Sequence, residues 1–334
     1  MDSILPWQQQ IWQGLQRRIE QQRMPHALLL HGPKGTGKKS LSLALAKSLL
    51  CEQRTKSGEG CGHCNSCRLF VAHTHTDLHL LEPEEGKSVL AVDQVRGMVE
   101  KFSYTPQIAN RKVAIINPAE TMNSSAANSL LKTLEEPSGE AVLMLISHAP
   151  ASLLPTIRSR CQQLAFPQPS RTEALAWLGG QLDDKSMADT ILGMAEGAPL
   201  RALALSGEGQ QAHYQQMAEE LVELLQGRAN PIRVAYRWNS KKLDPTTTLR
   251  WLQQWVTTII KQQFSNDPAT TEPVSSLFRL LQRVDRKRFF LFSDRLNQAI
   301  RLSTTPVNKE LLFEGLLLEW IRLAGDPLDA SSFR

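Results

Sequence analysis

The sequence predicts an α/β protein in which helices cover both faces of a parallel sheet, followed by an all-helical region. Three observations carry this expectation. An apolar run, Ala27 to Leu30, meets the loop Gly32-Pro33-Lys34-Gly35-Thr36-Gly37-Lys38-Lys39-Ser40, which opens an Ala/Leu-rich helix. Short continuous apolar runs then alternate with helical patterns, five strands in all, as in strands buried on both faces. From about Ser206 onward only helical periodicity remains.

The composition is that of a globular protein. With 334 residues, 41% apolar and 21% charged, the chain is long enough for two or three domains. Met1 to Gln22 lacks the apolar core of about 7–15 residues that marks a secretion signal, and no run nears the roughly 20 apolar residues of a membrane span. A cytoplasmic protein with no membrane partner is expected. The net charge of +5 mildly favours an anionic partner, but it suits an ordinary soluble surface equally well.

In chain order, Trp7, Ile11, Trp12, Leu15 and Ile19 recur at helical spacing and predict an amphipathic first helix. In the loop that follows, glycines turn backbone amides toward an anion, the helix start adds its positive end, and Lys38 can reach outer phosphates. A divalent cation at such a loop needs a hydroxyl directly after the lysine. Lys39 stands there instead, and Ser40 comes one place late.

Cys51, Cys61, Cys64 and Cys67 follow in a C-x9-C-x2-C-x2-C pattern. Four thiols this close in a cytosolic chain predict a tetrahedral, structural Zn²⁺ site rather than disulfides, with His63 as an alternative to one sulfur. His73, His75, Asp77 and His79 alternate along what reads as an extended segment entering a sheet, a pattern that arises without metal binding.

Leu78 to Leu81 predicts the second strand, and Asp93 suits the N-cap of a helix bearing Val95, Met98, Val99 and Phe102, with Arg96 in its first turn. Val113 to Ile116 reads as a buried strand. In a phosphate-loop ATPase it would end in carboxylates that hold magnesium, whereas here it ends in Asn117-Pro118. Efficient hydrolysis is therefore not expected. A helix from about Ser125 to Glu136 is stopped by Pro137, and Ala141–Ile146 and Gln162–Phe166 supply the last strands.

The run Ser129-Leu-Leu-Lys-Thr-Leu-Glu-Glu-Pro137, the triplet Ser159-Arg160-Cys161 and the four-cysteine insertion together resemble the clamp-loader ATPases of the bacterial replicative DNA polymerase. The resemblance runs over roughly Pro25 to Phe166 and resumes near Gly197 and Asn308. It implies an AAA+ module over 1–166 with the zinc insertion at 51–67, a small helical lid over 167–206, and a helical collar over 207–334. Pro167-Gln-Pro169 reads as a linker, Ser170-Arg-Thr-Glu173 as a capping box, and Asp244-Pro245 as a helix start.

The resemblance further implies a pentameric ring with motor ATPase subunits and a delta subunit, acting on a sliding clamp and primed DNA. Arg160 would be the arginine finger offered to a neighbour's ATP, or else a surface ion-pair residue. Ser147 resembles the first sensor. Arg201, in Gly197-Ala-Pro-Leu-Arg201, resembles the second sensor, or else belongs to a helix-capping turn. Gly32, Gly35, Gly37, Lys38, Lys39 and Ser40 would frame an ATP or ADP site whose occupancy, like that of Mg²⁺, stays open.

The leading expectation is a stator that donates Arg160. The alternatives are an ATP-hydrolysing motor of the same machine and, from another class, a zinc-bearing DNA-binding regulator. The zinc insertion has few cations, Arg54, Lys56 and Arg68, and no helix has a base-reading face. Arg96 is a candidate phosphate contact. The group Arg283, Arg286, Lys287 and Arg288 reads as a solvated helix face.

Overall fold

The computed structural model describes residues 4–87, 89–137, 139–207, 209–240, 244–264, 274–303 and 305–325. The chain divides into two compact units, Met1–Ala204 and Leu205–Arg334. The expected collar, 207–334, includes stretches outside the described residues.

The first unit opens with α1 (Gln9–Glu20), then β1 (Ala27–His31), α2 (Lys38–Leu50) and α3 (Asn65–Val71). There follow β2 (Leu78–Leu81), α4 (Val92–Ser103), β3 (Lys112–Ile116), α5 (Ser124–Glu135), β4 (Ala141–Ser147), α6 (Pro155–Arg160) and β5 (Gln162–Ala165). The five strands form one parallel sheet in the order β2-β3-β4-β1-β5, as the apolar runs predict.

Side chains alternate across a strand, so β1, β3 and β4 each feed two cores. Leu28 and Leu30 of β1, Val113 and Ile115 of β3, and Val142, Met144 and Ile146 of β4 pack with Trp12 and Leu15 of α1, Leu41 and Leu45 of α2, and Phe70 of α3. On the other face Leu29, Ala114, Ile116, Leu143 and Leu145 meet Val95 and Met98 of α4, Leu130 and Leu134 of α5, and Ile157 of α6. Leu28, Leu29 and Leu30 are all fully buried, each a gain of about 1.5–3 kcal/mol.

One expected helix boundary moves. Asp93 is not the N-cap of α4. Ala91 is, its amide donating to Gln94 Oε1 at 3.0 Å. The chain is pinned earlier, where the Leu90 amide donates to the Thr121 carbonyl at 3.0 Å. Asp93 therefore falls inside the first turn, where its charge still complements the helix dipole. The extended reading of 73–77 also fails. His73 has φ +56 and a turn precedes β2, so only His79 of that alternating set lies on a strand.

Still in the first unit are α7 (Arg171–Leu178), whose Ser170/Glu173 capping box is formed, α8 (Ala188–Met194) and α9 (Pro199–Leu205), which ends at the unit boundary. The second unit contains α10 (Gln210–Leu225), α11 (Pro231–Ser240), α12 (Pro245–Phe264), α13 (Val274–Leu281), α14 (Arg286–Ser303) and α15 (Lys309–Leu323). Asp244 and Asn308 cap α12 and α15 through their side-chain oxygens.

The core of this second unit is aromatic, and three of its indole nitrogens have partners. Trp255 donates to Tyr214 Oη at 2.7 Å, Trp238 to Glu220 Oε2 at 2.7 Å, and Trp320 to the Leu221 carbonyl at 3.2 Å. Among the described residues no helix is long and apolar enough to cross a membrane.

Candidate nucleotide site and metal centre

In open α/β sheets ligands bind at the carboxyl ends of the strands, where the strand order reverses. Here β1 lies between β4 and β5, and the glycine-rich loop leaves its carboxyl end beside Ser147, whose carbonyl accepts the Gly32 amide at 3.3 Å. Gly32 has φ +143, and a Cβ there would collide with the Phe166 carbonyl oxygen. Gly35 has φ +84, and a Cβ there would come within 2.8 Å of Arg201 Cβ.

The loop's carbonyls are satisfied from within the chain. Trp7 Nε1 and Gln8 Nε2 both donate to the Thr36 carbonyl at 3.0 Å, and Gln8 also donates to Gly37 at 2.9 Å. The Leu200 amide, at the start of α9, donates to the Gly35 carbonyl at 3.2 Å. Trp7 stacks edge-on against Trp177 of α7, with 5.5 Å between ring centres. Sequence periodicity places Trp7 in the core and overlooks Gln8, although both are parts of the loop's scaffold.

Lys38 is buried, 2% exposed, and its Nζ turns back to the carbonyls of Gly32 at 2.7 Å and Pro33 at 2.6 Å. Burial lowers its pKa to about 8, with Glu120 pulling the other way. Glu120 Oε1 accepts the His148 amide at 2.9 Å, while Glu120 Oε2 and His148 Nδ1 are buried without a partner. Burial and then the Lys38 charge push the His148 imidazole down to about 4, so it is neutral.

At the position of the missing hydroxyl, Lys39 Nζ lies 2.6 Å from Glu82 Oε1 and 2.8 Å from Oε2. Asn117 Nδ2, at the end of β3, donates to the same Oε1 at 2.6 Å. Glu82 directly follows the last residue of β2. Its place just beyond a strand's carboxyl end is the signal by which sequence reasoning could have found it. Ser40 is half-buried in the same turn.

Ser147 is fully buried, with Oγ accepting the Ala149 amide at 3.2 Å. Arg201 pairs with Glu196 at 3.0 Å while its backbone covers Gly35. The structure thus gathers Gly32, Gly35, Gly37, Lys38, Lys39, Ser40, Ser147 and Arg201 around one loop. Arg160 has other company, ending α6 with Nη2 2.7 Å from Glu135 Oε1 and Nη1 donating to the Thr156 carbonyl at 3.1 Å. The neighbouring Cys161 thiol is buried and pushed up to about 12 by that burial, which makes it inert.

The sulfurs of Cys51, Cys61, Cys64 and Cys67 all lie within 4.8 Å of one another, with no disulfide. Cys51 and Cys64 sulfurs are 3.9 Å apart and those of Cys61 and Cys67 4.0 Å. Amides of Cys61, Cys64 and Cys67 donate to the sulfurs of Cys51, Cys61 and Cys64 at 3.2, 3.3 and 3.3 Å. This donor set can hold a tetrahedral metal ion. His63 is exposed and bonded to the Cys61 carbonyl.

Of the histidines just beyond the cysteines, His75 is held in a structural network. His75 Nδ1 accepts the Asp77 amide at 3.1 Å, so its Nε2 carries the proton and donates to Ser66 Oγ at 2.8 Å. Ser66 passes its own proton to the Leu50 carbonyl at 2.6 Å. The proton order is the reverse of a nucleophile-and-base pair. Asp77 accepts the amides of Gln107, Ile108 and Ala109 at 2.8, 2.8 and 2.9 Å.

Arg96 is exposed, 4.0 Å from Asp93. In the second unit Arg286 lies over the Phe264 ring, 4.4 Å from its centre, and Arg283, Arg286, Lys287 and Arg288 are exposed.

Comparison with known proteins adds the following. The family described as DNA polymerase III, delta subunit, matches residues 7–170, and DNA polymerase III, delta subunit, C terminal, matches residues 208–322. A Pseudomonas aeruginosa protein named DNA polymerase III subunit delta' is 38% identical over 97% of this chain and 99% of its own length. A Yersinia pestis protein of the same name is 33% identical over 94% of each. The solved structure of a DNA polymerase III gamma subunit-related protein from Thermotoga maritima aligns with TM-score 0.45 and 19% identity, over 94% of this chain and 99% of that one.

Proposed function

This chain belongs to the DNA polymerase III delta' subunit family, and on that footing we propose that it is a clamp-loader subunit of the bacterial replicative polymerase. It helps place the sliding clamp on primed DNA in the cytoplasm, acting as a stator that offers Arg160 to the ATP of a neighbouring motor subunit. The lid, 167–206, and the collar, 207–334, are assigned to nucleotide-site closure and to assembly with the motor and delta subunits in a pentameric ring.

The observation that carries the stator role is the Lys39–Glu82–Asn117 cluster, in which an ammonium stands where a hydrolytic site needs a magnesium-binding hydroxyl. Such a loop keeps its frame without the means to polarise an attacking water. Arg160 lies on another element, about a third of its side chain exposed, where a guanidinium can stabilise charge developing on a γ-phosphate held by another subunit.

Zinc suits the four cysteines. Tetrahedral Zn–S bonds of about 2.3 Å require sulfurs about 3.8 Å apart, and the pairs at 3.9 and 4.0 Å meet that. Four protein ligands leave no open position, so the ion's role is to order the insertion.

The test is a reconstituted clamp loader carrying Arg160→Ala. Reduced DNA-stimulated ATP turnover with intact assembly supports the finger, and wild-type turnover refutes it. More than trace turnover by the isolated chain, abolished by Lys38→Ala, would refute the stator role.

A further inference from the structure

We propose that the phosphate loop is a metal-free polyphosphate site, in which the Lys39 ammonium takes the place of the divalent cation and Glu82 holds it there until an anion arrives. The ligand class is a nucleoside di- or triphosphate. This goes beyond the stator role, which concerns hydrolysis and leaves occupancy of the loop open.

The geometry supports each part. In a metal-dependent loop the hydroxyl after the lysine, together with the acidic groups at the neighbouring strand ends, holds a hydrated cation against the phosphates. Here the same corner of the sheet has been filled by other chemistry. Glu82, just past β2, and Asn117, just past β3, both turn toward Lys39 in the first turn of α2, at 2.6–2.8 Å for the ion pair and 2.6 Å for the amide. The carboxylate that would order a cation's water shell is bound to the ammonium instead. At that position a hydrated dication would meet the Lys39 ammonium in place of a hydroxyl, and a Glu82 carboxylate already held by Lys39 and Asn117.

The pair can also exchange. Lys39 and Glu82 side chains are 45% and 34% exposed, so the bond is half-solvated and its loss is cheap. When a polyphosphate enters, Lys39 can leave Glu82 for a phosphate oxygen, and Glu82 keeps the Asn117 amide. Lys38 behaves alike, since its bonds to the Gly32 and Pro33 carbonyls are contacts that an anion can replace. Lys34, exposed on the loop, adds a further cation, while Arg201 at Gly35 is paired with Glu196 and Glu120 lies beside Lys38. Both lysines are thus matched to internal acceptors while the site waits.

The experiment is calorimetric titration of the full chain with ATP, with Mg²⁺ either added or removed by dialysis. No chelator is used, so the metal of the cysteine cluster stays in place. Wild-type affinity is expected to agree within about twofold between the two buffers, because no magnesium coordination adds to binding. Lys39→Thr is expected to bind at least about tenfold more weakly without Mg²⁺ and to recover with it. Lys39→Met is expected to be weak in both buffers. That contrast separates the cation's role from damage to the fold. Glu82→Gln, which frees Lys39, is expected to tighten metal-free binding.

Wild-type binding that requires Mg²⁺, no ATP binding in either buffer, or a Lys39→Thr variant indistinguishable from wild type would each overturn the proposal. The stator role is read from DNA-stimulated turnover of the assembled ring, which these titrations do not measure, so each can fail alone.

Discussion

Arg160 Nη2 lies 2.7 Å from Glu135 Oε1, which ties the last residue of α6 to the last residue of α5. Glu135 belongs to the Leu-Leu-Lys-Thr-Leu-Glu-Glu-Pro run, so two motifs far apart in sequence meet in one ion pair. The carboxylate fixes where the guanidinium points before any partner is present.

If Arg160 is the finger, Arg160→Ala is expected to slow single-turnover hydrolysis at the neighbouring site by on the order of 10³. Glu135→Gln keeps the cation and loses only its tether. It is expected to cost under about tenfold in turnover and under about 1 kcal/mol in stability, since the pair is partly exposed. Quenched-flow assays on the reconstituted ring check the first figure, and urea denaturation of the chain checks the second.

Cys64→Ser removes one sulfur of the cluster. Bound zinc, measured by elemental analysis, should fall from one ion per chain toward none. The melting temperature should drop by roughly 5–10 °C, since metal binding and folding are coupled. A metal content unchanged from one ion would show that Cys64 is not a ligand, and a wild-type chain without zinc would show that the cysteines are merely reduced thiols.

Asp77 is fully buried, which alone would raise its pKa, but the amides of Ala109, Gln107 and Ile108 outweigh burial and hold it below the usual 3.8. A carboxylate lowered in the fold stabilises it above its unfolded pKa, and that contribution is lost as pH falls through the folded value. Asp77→Ala should cost about 2–4 kcal/mol by denaturant titration at pH 7, because three amides lose their acceptor. The variant should also lose part of the wild-type stability slope below pH 4.

Lys38 titrates in the opposite sense. Its pKa is lowered to about 8 from 10.5, burial being the main cause, so between those values the unfolded chain binds more protons than the folded one. Stability contributed by this group therefore rises with pH across that window, while affinity for an anion falls as pH passes 8. Titrations with ATP at pH 7 and pH 9 should differ in that direction, and Lys38→Met should flatten the difference.

Much of this architecture is legible in the residues. Val113–Ile116 and Ala141–Ile146 announce buried parallel strands because nothing polar interrupts them, and the glycines of the loop mark a turn that only they can make. The cysteine spacing announces the ligand cluster. What escapes a linear reading is the pairing of charges across elements. Glu82 meets Lys39, and Glu135 meets Arg160, only because strand order and helix packing bring them together. The histidine alternation misleads for the reverse reason. A turn at His73 breaks the extended geometry that its spacing suggests.

Alternation along β1 has a further consequence. Leu28 and Leu30 look toward the helices that carry the cysteine insertion, while Leu29 looks toward the layer that ends in Arg160. Parity of position along a single strand thus decides which half of the molecule a change can disturb. Selection can tune the cysteine-bearing side through even-numbered residues of β1 and the side that carries Arg160 through odd-numbered ones, with the backbone between them as the shared constraint.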